Sequence, residues 1–176
     1  LAMASHTNEI QITPELLPIS KLLIRGRPSQ SIVAYIEGVP FTWAMFVSHI
    51  NALTSQLLFH SEQKWALFSE DSVAFAIGFL ALLQADKEIA LPPNTQSGTL
   101  EEISVHVEGF LCDSPSHSSP IPHILLPSRS ALQKESVPIA SSLQFRSLNN
   151  QACTIKLFTS GSTGKAKIVE KALSQL

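Results

Sequence analysis

The sequence is poor in cysteine, in net charge and in long apolar runs, and each shortage excludes something. Two cysteines, Cys112 and Cys153, cannot build a disulfide framework for 176 residues and fit a reducing compartment. Twelve Lys+Arg stand against 14 Asp+Glu, a net charge of −2, which excludes a strongly basic nucleic-acid binder. The longest apolar run, residues 73–83, follows Glu70 and Asp71. It is far shorter than the ~20 residues that cross a bilayer, so no membrane span is expected. Residues 1–10 lack a basic region followed by an apolar run, the mark of a secretory signal, and the expected location is the cytoplasm. What is present is 44% apolar residues and a mean hydropathy of +0.18, which excludes a wholly disordered chain and suffices for a buried core.

The pattern along the chain predicts an α/β layer of strand–helix–strand units over residues 30–176, preceded by an irregular leader over residues 1–29. Residues 32–36 (Ile-Val-Ala-Tyr-Ile) read as a strand closed by a turn at Glu37-Gly38-Val39-Pro40. Thr42 is the expected N-cap of a helix whose apolar positions Phe46, Ile50, Leu53 and Leu57 recur at three and four residues. A strand over 64–68 leads through Ser69-Glu70-Asp71-Ser72 into a helix over 73–84. That helix is apolar nearly all round and is expected to be buried. A third strand over 88–91 is stopped by Pro92-Pro93. A short helix over 98–104, strands over 110–112 and 123–126, and a strand over 153–158 complete the expectation. The Ser/Pro segment 113–120 and residues 127–150 read as loop and irregular chain.

One segment carries chemistry: Leu157-Phe158-Thr159-Ser160-Gly161-Ser162-Thr163-Gly164-Lys165-Ala166-Lys167. It lies at a basic end of the chain. Residues 1–155 hold 8 basic and 13 acidic side chains, whereas residues 156–176 hold 4 and 1. Glycines let successive backbone N–H groups converge on one anion, and Ser and Thr hydroxyls add donors that rotate to meet phosphate oxygens. Lys165 and Lys167 supply charge that shortens and strengthens such bonds. The Walker loop is excluded, because only two residues separate Gly161 from Gly164 and Ala166 follows Lys165. The nucleophile elbow is excluded by Ser160, and the dinucleotide fingerprint by the want of a third glycine. A polar hairpin loop rich in turn residues is the plain structural alternative.

This segment resembles the glycine-rich phosphate loop of the acyl-adenylate-forming enzymes, the superfamily of acyl-CoA and acyl-carrier-protein synthetases, luciferases and peptide-synthetase adenylation domains. Phe158 to Gly164 match its aromatic-Thr-Ser-Gly-Ser/Thr-Thr-Gly pattern at every position, and Lys167 matches the family lysine. Ala166 replaces the usual proline. Upstream, Phe41-Thr42-Trp43 is similar to the family's Leu-Thr-Tyr segment, and residues 65–94 resemble its strand–helix–strand unit, with Asp86 where a glycine is usual. Residues 91–94 and 169–173 look closer to stand-alone acyl- or aryl-carrier-protein ligases than to luciferases.

The resemblance implies an enzyme that uses ATP and Mg²⁺ to activate a carboxylic acid as an acyl-adenylate. It implies transfer of the acyl group to the pantetheine thiol of CoA or an acyl-carrier protein. In that scheme Thr159, Ser160, Ser162 and Thr163 bind phosphate oxygens, Gly161 and Gly164 let the backbone close over them, and Lys165 and Lys167 offset charge as pyrophosphate leaves. No adenine-binding Thr-Glu segment, ribose-binding aspartate, hinge or carboxy-terminal catalytic lysine follows the loop. The 176 residues therefore read as an amino-terminal AMP-binding fragment, inactive in adenylation by themselves. Two other readings stand beside it: a non-catalytic α/β domain binding a phosphate-bearing ligand or a protein partner, and a plain interaction domain with a basic tail. Cys112, His117 and His123 share no metal-ligand spacing. Trp43 and Trp65 read as packing residues, and Glu101-Glu102 as a solvated helix turn.

Overall fold

A computed structural model describes residues 17–114, 120–134, 144–160 and 166–175. A 3₁₀ turn (Ile19–Lys21) runs into the one-turn helix α1 (Leu22–Arg25), whose Leu23 joins the core. Strand β1 (Ile32–Ile36) then pairs antiparallel with β2 (Val39–Thr42). The turn expected over residues 37–40 is confined to Glu37 and Gly38, at φ 51° and 83°. Two consecutive left-handed residues make the two-residue hairpin whose twist suits antiparallel strands, so Val39 and Pro40 are released into β2. Pro40 is tolerated there because the two-stranded ribbon leaves each strand an outer edge.

Thr42 caps α2 (Trp43–Leu58), its Oγ1 accepting from Met45 N at 3.4 Å. Strand β3 (Lys64–Phe68) leads to α3 (Ser72–Gln84) and β4 (Glu88–Leu91), then α4 (Ser97–Ser104) and β5 (Gly109–Cys112). Strand β6 (His123–Leu125), α5 (Arg129–Leu132), β7 (Thr154–Ser160) and β8 (Ala166–Ala172) follow. The irregular chain expected over residues 127–150 thus contains one helical turn, α5, started by Ser128 Oγ accepting from Ala131 N. Six strands form one sheet in the order β6-β5-β3-β4-β7-β8, parallel through β7, with β8 antiparallel at the edge.

Alternation along each strand sends side chains to two unequal layers. Trp65, Leu67, Ile89, Leu111, Ile124 and Ile155 join Phe46, Ile50, Leu53 and Leu57 of α2 and the apolar residues of α3 in the larger cluster. Ala66, Ala90, Phe110, Cys112 and Phe158 face the other way, beneath Leu100 and Ile103 of α4. Every residue from Ile77 to Gln84 is buried, because α3 lies between α2 and the sheet. That placement explains a helix with no polar face. Gly78 permits the approach, since a Cβ there would meet Leu126 Cδ2 at 2.7 Å and Leu67 Cδ1 at 2.9 Å. No described helix is long and apolar enough to cross a membrane.

Asp71 starts α3. Its Oδ1 accepts from the N–H groups of Val73 and Ala74 at 2.9 and 3.0 Å, and its Oδ2 accepts from Arg129 Nε at 3.0 Å. Burial alone would raise this carboxyl, but the two amides and the guanidinium outweigh it and hold it below the usual aspartate range. Asp71→Ala is expected to cost about 1–2 kcal/mol at neutral pH, the usual worth of an N-cap. Because the folded pKa is depressed, this contribution is present above the unfolded pKa and disappears as pH falls. Urea midpoints of wild type and variant should therefore converge as pH drops below about 4.

The chain leaves α3 through Asp86 at φ 61°, the left-handed conformation that favours glycine and that aspartate tolerates. Arg146 from a distant strap holds this turn. Its Nη2 donates to Leu83 O and Asp86 Oδ1, both at 2.8 Å, and its Nε donates to Gln84 O at 3.1 Å. The Gln84 amide returns two bonds, donating to Arg146 O and accepting from Arg146 N at 3.1 and 3.0 Å.

Candidate phosphate-binding hairpin

Strands β7 and β8 are in register from Thr154↔Ala172 to Ser160↔Ala166. The glycine- and hydroxyl-rich segment is therefore the connection of a β-hairpin, and β8 is a strand that the sequence pattern did not mark. Gly161, Ser162, Thr163, Gly164 and Lys165 lie outside the described residues. Thr159 and Ser160 end β7, and Lys167 stands directly across from Thr159. The Thr159 hydroxyl donates to Lys167 O at 3.2 Å. Both side chains are exposed, and Lys167 forms no ion pair with a described carboxylate.

Directly opposed residues in an antiparallel pair share a sheet face. Ile155 and Leu157 belong to the larger cluster, so Thr159 and Lys167 lie on that same face. Phe158 points oppositely and is 3% exposed, its ring 5.9 Å from that of His106 beyond α4. Another lysine of the hairpin, Lys156, is occupied. Its Nζ lies 3.0 Å from Glu88 Oε2 and 3.8 Å from Glu170 Oε1. Of the described lysines near the loop, Lys167 is thus the one without an ion pair to a described carboxylate. The hairpin also rises from the carboxyl end of a parallel strand, the edge of open α/β sheets where ligands gather.

A second feature at this edge escaped the sequence reading. A cavity of about 370 Å³ opens at the ends of β3, β5 and β6, lined by Glu70, Asp71, Asp113, Leu126, Pro127, Ser128 and Arg129. The Asp113 carboxylate binds the two loops together, accepting from Ser69 Oγ and from Glu70 N, both at 2.7 Å. Acidic residues soon after β3 and β5 are the signal in the sequence, but the register that brings them together is not.

The remaining candidates are structural. Burial pushes the Cys112 thiol up to about 11, and its Sγ lies 3.3 Å from Ser114 O, so it is no nucleophile. His123 packs its ring 5.1 Å from Phe110, and His117 lies outside the described residues. Burial lowers the pKa of His49, whose ring stacks on Phe41. Trp43 and Trp65 are buried, and Glu101 and Glu102 are exposed on α4.

No family model and no curated protein sequence matches the chain. Solved structures do. The N-terminal subdomain of NpsA from Klebsiella oxytoca, in complex with 3-hydroxybenzoyl-AMSN, matches with TM-score 0.60 and 21% identity, covering 81% of this chain and 37% of that one. O-succinylbenzoate coenzyme A synthetase (MenE) from Bacillus subtilis, in complex with AMP, matches with TM-score 0.61 and 19% identity, over 81% of this chain and 39% of that one. NpsA-ThdA, an artificially fused adenylation-PCP di-domain from Klebsiella oxytoca, matches with TM-score 0.59 and 21% identity, over 80% and 29%. The chain thus spans between 29 and 39% of the length of these structures. At these identities the likeness concerns the backbone. The chain has the mixed α/β fold of the amino-terminal subdomain of adenylate-forming ligases.

Proposed function

We propose that these residues form the phosphate grip of an ATP-dependent carboxylic acid–thiol ligase. Such a ligase forms an acyl-adenylate and passes the acyl group to CoA or to a carrier-protein thiol, in the cytoplasm. One observation carries the reading: at the carboxyl end of β7 the exposed Thr159 stands directly across the hairpin from the exposed Lys167, which forms no ion pair with a described carboxylate. Both lie in a fold whose solved members hold AMP and acyl-adenylate analogues.

The chemistry follows from charge. Attack of a carboxylate on the α-phosphorus of ATP breaks the bond to pyrophosphate, and negative charge grows on the departing oxygens. Donors fixed on that side stabilise the transition state more than the ground state. In this reading Ser160, Ser162 and Thr163 donate hydroxyl hydrogens to the β- and γ-phosphates, Thr159 does so by turning its hydroxyl away from Lys167 O, and Gly161 and Gly164 admit close backbone approach. Lys165 and Lys167 counter the charge. In this reading Mg²⁺ enters with the nucleotide, as part of the substrate. The acid and the acceptor thiol belong to the longer ligase.

The test is titration of the chain with ATP and with pyrophosphate, monitored by calorimetry. Reversing both charges (Lys165→Glu with Lys167→Glu) is expected to weaken each ligand about tenfold, the effect of losing one charge-assisted contact. Equal affinity for wild type and variant overturns the proposal and leaves the hairpin as a plain turn.

A further inference from the structure

The hairpin that bears the loop is a cantilever. Its attachment to the parallel sheet is the pairing of β4 with β7, which runs Ile89↔Ile155, Ala90↔Lys156 and Leu91↔Leu157. Beyond Leu91 come Pro92 and Pro93, and neither can donate a ladder hydrogen bond. Phe158, Thr159 and Ser160 therefore continue past the end of β4, laddered to β8 alone. The orientation of this free end is set at its root, where Ile155 and Leu157 pack into the larger cluster. Phe158 is sunk against the α4 side, and two residues earlier Lys156 joins three adjacent strands by charge.

We propose that Lys156 is the positioning residue of the hairpin: its ammonium pins β7 between Glu88 of β4 and Glu170 of β8, and so fixes where the tip residues Thr159 and Lys167 stand. Several observations support this. The Lys156 side chain is 21% exposed, against 41% for Glu88 and 64% for Glu170, so it is the sheltered member of the triad. Glu170 is the register partner of Lys156 across the hairpin, which places them on one face. The Glu88 bond, at 3.0 Å, is a charge-assisted hydrogen bond to a strand outside the hairpin. A neutral residue at 156 would leave two carboxylates on the same face without a counter-charge, at the root of an edge hairpin whose other ties there are apolar packing and the β4 ladder.

Amide hydrogen exchange tests the mechanical claim without any ligand. In Lys156→Met, exchange at Phe158, Thr159, Lys167 and Ile168 is expected to quicken about tenfold, while Trp65, Leu67 and Leu111 in the sheet centre keep their protection. Lys156→Arg is expected to restore the tip. Unchanged tip exchange overturns the proposal, and so does a uniform rise across the sheet that Lys156→Arg fails to reverse. Glu170→Gln provides a second variant on an exposed side chain, and it too must quicken exchange at the tip. The functional consequence rests on the phosphate-grip reading: Lys156→Met is expected to weaken ATP several-fold, and Lys156→Arg to restore it. If wild type shows no ATP affinity, that reading fails while the exchange result still decides the role of Lys156.

Discussion

Replacing Trp65 with alanine is expected to destabilise the chain by about 3–5 kcal/mol, the usual cost of emptying a large buried aromatic site. The indole is fully buried in the larger cluster, and its Nε1–H donates to Glu62 O at 3.0 Å. Its register partner on β5 is Gly109, and a Cβ at that glycine would lie 2.7 Å from Cε3 and Cζ3 of the ring. The neighbouring strand has thus been stripped of a side chain to seat the tryptophan. Nothing on β5 can relax into the space once the ring is gone, which places the expected cost toward the upper end. Gly109→Val alone should also destabilise, by about 1–3 kcal/mol, through overpacking against the ring. The two changes should not add. With the ring removed, the valine occupies part of the vacated volume, so the double variant is expected to be more stable than Trp65→Ala alone. Urea midpoints of the four proteins, with slopes unchanged, measure the cycle. Strict additivity would show that the ring and the glycine are not energetically coupled.

Arg146→Met carries the second large effect, about 2 kcal/mol. The methionine keeps an unbranched apolar stem of similar reach but loses all three guanidinium bonds, to Leu83 O, Gln84 O and Asp86 Oδ1. Two of those acceptors are carbonyls at the end of α3: Leu83 O keeps one bond, from Asp86 N at 3.2 Å, whereas Gln84 O is left without a donor among the described residues. An orphaned buried acceptor costs about 1–3 kcal/mol. Arg146 is 43% exposed, so water recovers part of the loss and the lower half of the combined range is the better expectation. Thermal or urea unfolding measures it. A loss under about 0.5 kcal/mol would mean that the helix end is satisfied without the strap, as for a surface substitution.

Much of the fold was legible because its strands are short and punctuated. The runs at residues 32–36, 64–68 and 88–91 are the observed β1, β3 and β4 to the residue, each bounded by turn-forming or helix-starting residues. Helix α5 was not legible, because four residues make a single turn and show no period. Strand β8 was not legible either. Ala-Lys-Ile-Val-Glu-Lys-Ala mixes charge with apolar residues as a solvated helix would, and only pairing with β7 makes it extended. Asp86 stood out as a departure from glycine. The structure resolves it as a left-handed aspartate whose carboxylate is used by Arg146. At the candidate site the sequence shows glycine, hydroxyl and lysine together, the residue types that phosphate recognition uses, and their roles belong to the proposal. The cavity at the ends of β3, β5 and β6 was not, since its walls come from positions near 70, 113 and 128. Lys156 read as one more basic residue until the sheet order set it between two glutamates.

The order of strands also bears on how the chain assembles. The unit from β3 through α3 to β4 closes over a short stretch of sequence, and the β7–β8 hairpin closes over a shorter one. Joining the two requires Ile155 to find Ile89, some sixty residues away, after β5 and β6 have been laid on the opposite flank of β3. Local pairs form fast and distant parallel pairs slowly, because loop closure must precede the contacts that reward it. The docking of β7 onto β4 is therefore expected to come late in folding. Until it is complete, Ile155 and Leu157 are missing from the core, and the loop rides on a hairpin that is not yet seated.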